Sequence, residues 1–242
     1  MRKINLLNEK NFENKKIANC NTRKNQEKFY NIFQPIYDDF DRLIKKRSFN
    51  KSVLEIGCSQ GNNAFKLFRK TKNYVGVDIS DLAILSANKR KNINKLSHFK
   101  FINMDVHSMN FENESFDIIY ANAVLHHLDL ELFLNEAYRI LKKGGILIFN
   151  EPLGTNFIFN LYRRFTPNSR TSDEFPFDNK ELKLVNKIFP YNSSYYYGFF
   201  SIICAYLNFN FIKSLTFNLD SLLSKTFLRR YFWYIFFLGE KK

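Results

Sequence analysis

Cysteine is scarce in this chain: its 242 residues hold three, Cys20, Cys58 and Cys204, and they are scattered. Such a set supplies neither a disulfide framework nor the spacing of a metal site, so no metal is expected and a reducing, cytoplasmic setting is the default. No secretory leader is expected either, because Met1 to Lys16 mixes Lys, Asn and Glu without a continuous apolar stretch. Internal repeats and low-complexity linkers are absent. From Pro190 to Ile212 there is no charged residue, but the stretch carries Asn192, Ser193, Ser194, Gly198, Asn208 and Asn210. A spanning helix needs roughly 20 mostly apolar residues. These interruptions favour a buried strand followed by a core or cap helix, and leave a peripheral contact with the inner face of a membrane as an open alternative.

Acidic residues are outnumbered, 23 against 37 Lys and Arg, for a formal charge of +14. Such a balance draws a protein to nucleic acid or to an anionic surface. A chain rich in Lys, Asn, Ile and Phe together is equally what AT-rich coding produces, so the charge alone decides nothing.

What is present is a hydrophobic content of 45%, enough for one sizeable core. Residues 1–26 are polar and expected to be loose. Residues 27–242 are expected to form one domain, with a binding core over 52–151 and an acceptor or cap region over 152–231. From Phe29 to Lys46, apolar residues at helical spacing predict an amphipathic helix, with Pro35 splitting or kinking it. From Ser52 onward, short apolar runs alternate with helical stretches. Strands are predicted at 53–56, 74–78, 99–103, 116–121 and 146–150, and more loosely at 195–199 and 232–238. Helices are predicted at 63–70, 81–95 with Ser80 as N-cap, 130–141 stopping at Gly144-Gly145, 157–165 and 181–188. This alternation implies parallel βαβ units: an α/β, doubly wound, Rossmann-like sheet.

The sharpest motif is Val53-Leu54-Glu55-Ile56-Gly57-Cys58-Ser59-Gln60-Gly61. A strand runs into a Gly-containing turn at its carboxyl end, where open α/β sheets bind ligands. The dinucleotide spacing needs Gly at 57, 59 and 62, and only Gly57 is present. An acid followed by Gly at every second position fits better: Glu55, Gly57 and Gly61 match, and Ser59 is the departure. Asp78 ends the second strand, where a carboxylate can accept from both hydroxyls of a ribose. Asp105 follows the third strand and can accept from an adenine amine. Each acid alone would serve as readily as a helix cap or a solvated loop residue; at successive strand ends they point to one adenosine-type ligand.

On these residues the chain resembles the class I methyltransferases, specifically the methyltransferase type 11 family. The likeness runs from Ser52 to Glu151 and includes Val75-Gly76-Val77-Asp78-Ile79-Ser80, Phe116 to Leu128 with His126-His127, and Arg139-Ile140-Leu141-Lys142-Lys143-Gly144-Gly145. It implies a mostly parallel seven-stranded sheet, to which the chain's own pattern adds an N-terminal helix and, near the C-terminus, a Phe-rich block that is a cap or insert, or simply core. It implies S-adenosylmethionine as methyl donor, bordered by Glu55, Gly57, Cys58, Ser59, Gly61, Asp78, Ile79, Asp105, Val106 and Asn122.

Methyl transfer requires donor and acceptor in line, and an alcohol or phenol acceptor also needs a base. His126 and His127 are the candidates, with His127 slightly favoured; each could instead cap a helix or line the pocket. Glu151, Arg163 and Arg170 are expected on the acceptor side, the arginines as partners for phosphate or carboxylate. Tyr30 and Tyr37 either close over the cofactor or belong to the core. The (Asp/Asn/Ser)-Pro-Pro-aromatic turn of amino-directed nucleic-acid enzymes is replaced by Ala121-Asn122-Ala123-Val124, and no Pro-Cys dipeptide occurs. Nucleic acid is therefore not expected as substrate. The Phe-rich stretch from Phe199 to Leu228 favours a small-molecule, sugar or lipid-like acceptor. A cofactor-binding protein without catalysis and, more distantly, a nicotinamide oxidoreductase are the alternatives.

Overall fold

A computed structural model describes residues 5–18, 33–156, 160–161, 164–165, 176–201 and 210–242. The strands are β1 (Ser52–Ile56), β2 (Asn73–Asp78), β3 (Phe99–Asn103), β4 (Phe116–Asn122), β5 (Leu141–Pro152), β6 (Tyr191–Tyr197) and β7 (Tyr234–Glu240). They form one seven-stranded sheet in the order β3-β2-β1-β4-β5-β7-β6. β1 to β5 are parallel, and β7 runs antiparallel to both β5 and β6. Strand order reverses between β1 and β4, which opens a crevice at their carboxyl ends.

The helices are α1 (Leu6–Ala18), α2 (Gln34–Ser48), α3 (Asn62–Leu67), α4 (Asp81–Ile93), α5 (Leu130–Ile140), α6 (Asn179–Ile188) and α7 (Asn210–Leu223). Strand side chains alternate between two cores. Leu54, Ile56, Ile119, Ala121, Leu147 and Phe149 pack with α5 and α6. Val53, Ile118, Tyr120 and Ile148 pack with α2, α3 and α4. The sheet is thus covered on both faces, which is why Val53 to Ile56 of β1 are all buried and only Glu55 among them is polar. In α5, Leu130, Phe133, Leu134, Ala137 and Ile140 are all buried. Each large side chain on that stripe contributes about 1.5–3 kcal/mol of burial.

Several expectations change. The 1–26 segment is not uniformly loose: Leu6–Ala18 is a helix, held by contacts to distant residues rather than by a strong apolar stripe of its own. Pro35 stands in the first turn of α2, where its missing N–H costs nothing, so the described helix starts at the proline rather than running through it. Residues 29–32 lie outside the described residues. α5 ends at Ile140, within one residue of its expected end, but the glycines do not cap it: the chain turns straight into β5, which starts at Leu141 and includes Gly144 and Gly145. The C-terminal strands start elsewhere than expected, at Tyr191 and Tyr234. The uncharged stretch from Pro190 therefore begins as strand β6; among the described residues no helix is long and apolar enough to cross a membrane. The expected helix over 157–165 lies largely outside the described residues.

Candidate active site

The turn from β1 to α3 explains the spacing of its small residues. Gly57, Ser59 and Gly61 all have left-handed backbones, with φ of 66°, 46° and 79°. A Cβ at Gly57 would lie 2.6 Å from Val124 Cγ2. Ser59 takes the same conformation with a side chain, at a cost of about 1–2 kcal/mol, and its N–H donates to Asp78 Oδ2 at 2.8 Å. The turn therefore keeps its shape at the one position where the motif departs from glycine.

Glu55 sits beneath this turn rather than in the cavity. It is buried, and its carboxylate accepts from Tyr74 Oη (2.5 Å) and Asn63 Nδ2 (3.0 Å). Burial pushes its pKa up to about 7, although those two hydrogen bonds pull the other way. Cys58 is also buried, with its N–H given to Val77 O at 3.0 Å.

Asp78 ends β2 and takes backbone N–H groups from Ser59 on one oxygen and Ser80 on the other (2.8 and 2.9 Å). This fixes both oxygens while leaving their remaining lone pairs for a diol. Burial raises its pKa; the two N–H groups oppose that, Glu13 adds to it and Lys16 counters it. Asp105 is braced by His107, which the sequence reading missed. His107 Nδ1 lies 2.7 Å from Asp105 Oδ1, and His107 Nε2 accepts from the Asp129 N–H at 2.9 Å. A backbone donor on Nε2 leaves the ring proton on Nδ1, where it donates to Asp105.

On the far side, Glu151 is fully buried at the end of β5. Its Oε1 accepts from the Val124 and Leu125 N–H groups (2.8 and 2.7 Å), and its Oε2 lies 2.6 Å from His126 Nδ1. The carboxylate accepts, so Nδ1 carries the proton and Nε2 keeps its lone pair. His127 faces α1, with Nδ1 3.2 Å from Glu9 Oε2. Beside them, Tyr197 Oη donates to Asn150 Oδ1 (2.7 Å), and Asn150 Nδ2 donates to Asn122 Oδ1 (3.1 Å).

These groups surround one cavity of about 700 Å³. Gly57, Ser59, Asp78, Ile79, Asp105, Val106, Asn122, His126 and His127 all line it, so most of the expected residues meet in one place. Glu55, Cys58, Gly61 and Glu151 do not line it; Glu55 holds Asn63 and Glu151 holds His126, both of which do, while Cys58 and Gly61 belong to the turn beneath it. Arg163 and Arg170, and Tyr30, lie outside the described residues. α1 covers the cavity with Leu6, Glu9, Glu13 and Lys16, and is tied down by Lys10–Asp81 (2.8 Å) and by the Ser80 hydroxyl on Asn14 Oδ1 (2.6 Å). α2 adds Tyr37 and Asp41, with Asp41 paired to Lys66 of α3 at 2.5 Å. The other end is aromatic. Phe33, Phe40, Trp233, Tyr234 and Phe236 line it, with Phe40 stacked on Phe236 at 3.8 Å.

The residues fit an S-adenosyl cofactor. Gly57 leaves room that a Cβ would fill, and Asp78 and Asp105 stand at successive strand ends as a ribose and an adenine require. The Asp41–Lys66 pair offers opposite charges to an amino-acid moiety. Neither Asp41, Lys66 nor α1 was visible in the motif, since none carries a spacing of its own; His107 could have been noticed only as a histidine two residues after Asp105.

Comparison with known proteins agrees with this geometry. Residues 54–149 match the family model described as a methyltransferase domain. A sterol 24-C-methyltransferase of Aspergillus fumigatus is 36% identical over 107 residues, which is 43% of this chain and 28% of that relative. A carboxy-S-adenosyl-L-methionine synthase of Campylobacter fetus is 28% identical over 177 residues, 66% of this chain and 74% of the relative. The chain spans less than half the length of the first curated relatives it matches. Among solved structures, geranyl diphosphate C-methyltransferase from Streptomyces coelicolor superposes with a TM-score of 0.63 at 12% identity, covering 86% of this chain and 80% of that one. That likeness is one of fold.

Proposed function

For a chain with the class I S-adenosylmethionine-dependent methyltransferase fold, we propose that it transfers a methyl group from S-adenosylmethionine to a small, lipid-like acceptor that gives up a proton. The observation that carries this reading is the single cavity in which Gly57, Asp78 and Asp105 stand at one end and an aromatic wall at the other, with His126 lining it as well.

When bound, S-adenosylmethionine supplies an electrophilic methyl on a sulfonium. The turn at Gly57 to Gly61 and the carboxylates of Asp78 and Asp105 hold and orient it, and Lys66 and Asp41 meet its amino-acid end. α1 excludes water from above, which favours an in-line approach. His126 Nε2 takes the proton from the acceptor while Glu151 holds the ring and stabilises the imidazolium that results. Glu151 is a positioning residue in this scheme, since it touches His126 and not the cavity. The aromatic wall of Phe33, Phe40, Trp233, Tyr234 and Phe236 selects an apolar acceptor. Support comes from relatives whose names specify sterol and geranyl diphosphate methylation.

A second reading, in which the cofactor itself is modified, rests on the carboxy-S-adenosyl-L-methionine synthase that aligns over two thirds of the chain. Incubating methyl-labelled S-adenosylmethionine with the protein and a cell extract, then fractionating the products, separates the readings. Label in a lipid or small-molecule acceptor, lost in Asp78→Ala, is the expected result. Label retained only on a cofactor derivative favours the second reading. Label in nucleic acid would overturn the acceptor assignment, and cofactor binding without any product would leave a binding protein.

A further inference from the structure

Helix α7 presents an apolar stripe that remains exposed beside the described residues. Thr216 and Asp220 are buried against the body of the protein, while Ser214, Asn218 and Ser221 form a polar exposed face. Between these two faces runs a stripe of leucines at helical spacing: Leu215, Leu219 and Leu222 are 48%, 37% and 64% exposed. The stripe does not end with the helix. In the 3-10 turn that follows (Phe227–Tyr231), Phe227 is 73% exposed and Tyr231 37%. Single exposed leucines occur elsewhere and need no explanation. A run of large apolar side chains along one helix and into the next turn is different.

The exposed charges that follow this stripe are of one sign: Lys225, Arg229 and Arg230, none in a salt bridge with a described residue. Lys225 and Arg229 line the cleft beside β6, with the Arg229 guanidinium over Tyr196 (5.8 Å), and Arg230 stands with the apolar side chains. The Arg230 guanidinium lies over Tyr231 (4.9 Å) and Phe227 (6.0 Å), so cation and apolar side chains share one surface. From Asn210 to Tyr231 the one acid is Asp220. It is buried and engaged, taking hydrogen bonds from the N–H groups of Gly198, Phe199, Phe200 and Ser201 and from the Ser201 hydroxyl. Across the adjoining cleft, Asp39 is paired with Arg42.

We infer that this surface docks on an anionic lipid bilayer, with the α7 leucines and Phe227 entering the headgroup boundary and Arg230, with Arg229 and Lys225 at the rim, meeting lipid phosphates. Apolar side chains flanked by cations are what an interfacial helix requires, and the net charge of +14 adds long-range attraction to the same surface. The patch also stands next to the cavity in the chain: Trp233 and Tyr234, two residues of its aromatic wall, follow Tyr231 after one residue. The Thr155 hydroxyl and Asn156 Nδ2 hold the carbonyls of Arg230 and Tyr231, fixing the patch to the end of β5. A lipid-like acceptor would then reach the cavity from the surface on which the protein sits. The docking itself does not depend on methyl transfer.

The test is co-sedimentation of the full chain with phosphatidylcholine vesicles and with vesicles containing phosphatidylglycerol, at low and high salt. Cofactor binding and circular dichroism serve as independent measures of the site and the fold. Binding is expected only with phosphatidylglycerol and should weaken in salt. The Leu215→Gln, Leu219→Gln, Leu222→Gln triple variant should lose about ten-fold or more in partitioning, as should Arg229→Gln with Arg230→Gln, while Leu132→Gln on α5 changes nothing. Absence of binding to either vesicle would overturn the inference. So would a triple leucine variant that binds as well as the unaltered chain, since net charge alone would then suffice. A dimer that dissociates on the leucine substitutions would overturn it too, showing that a second copy covers the stripe. Failure of methyl transfer with vesicle binding intact would count against the proposed activity and not against the surface.

Discussion

On the cofactor side of the cavity, recognition is built from backbone. The turn at 57, 59 and 61 is set by three left-handed residues, and Asp78 is fixed by two N–H groups, one from that turn and one from its own loop. The wall proposed here for the acceptor is built instead from side chains that arrive from α2, β4, β5 and β7, and little of it is local. The difference separates what is general in the protein from what is particular. A backbone cradle admits one ligand shape and leaves a short motif behind. An aromatic wall can be rebuilt around another acceptor without disturbing that motif.

The comparison is broken most sharply at His126. His126→Ala should lower kcat by about 10²- to 10⁴-fold with cofactor affinity nearly unchanged, the size of a lost general base. His127→Ala, whose partner is Glu9 of the covering helix, should cost less than about ten-fold. Glu151→Gln should lower kcat with little change in KM, because it disturbs the ring's orientation and not acceptor binding. Steady-state kinetics on the acceptor found in the labelling experiment decides; a larger loss at His127 would move the base there.

The cofactor side is probed at Gly57. Gly57→Ala combines a strained left-handed alanine with a contact 2.6 Å from Val124. Calorimetric titration with S-adenosylmethionine should show about a 100-fold weaker Kd in a variant that remains folded. Affinity within a few-fold of the unaltered chain would mean that the turn is softer than its backbone suggests.

The smallest effect concerns the support beneath that turn. Glu55 has a folded pKa of about 7 against 4.5 for an ordinary glutamate. Its contribution to stability is fully present below pH 4.5 and is lost as pH rises through 7, because the folded state holds the proton more tightly than the unfolded one. Glu55→Gln cannot ionise. Urea denaturation across this range should show the variant gaining on the unaltered chain as pH increases, and parallel pH curves would refute the assignment.

Legibility followed the range of each interaction. The N-cap at Ser80 was readable because it is made within three residues, by its hydroxyl on the Ala83 N–H. β3 was bounded correctly at Phe99 and Asn103 by its own apolar pattern. α1 was not anticipated, since its sequence is mostly polar and its anchors are Asp81, Ser80 and His127, all far along the chain. The glycines after α5 misled for a related reason. They lie inside β5, where the Gly144 N–H is given to Lys241 O at 2.7 Å, so pairing with the far end of the chain drew the residues before them into the sheet.

By itself, then, the sequence determined the alternating α/β order, the small-residue turn after β1 and the acids after β2 and β3, because periodicity and turn conformation act over a few residues. Tertiary structure alone decided that Glu151 lies under His126, that His107 braces Asp105, that α1 lies over the cavity and that the leucines of α7 face outward. Each of these joins residues far apart in the chain, and which partners meet is fixed only when the sheet has closed on its two cores.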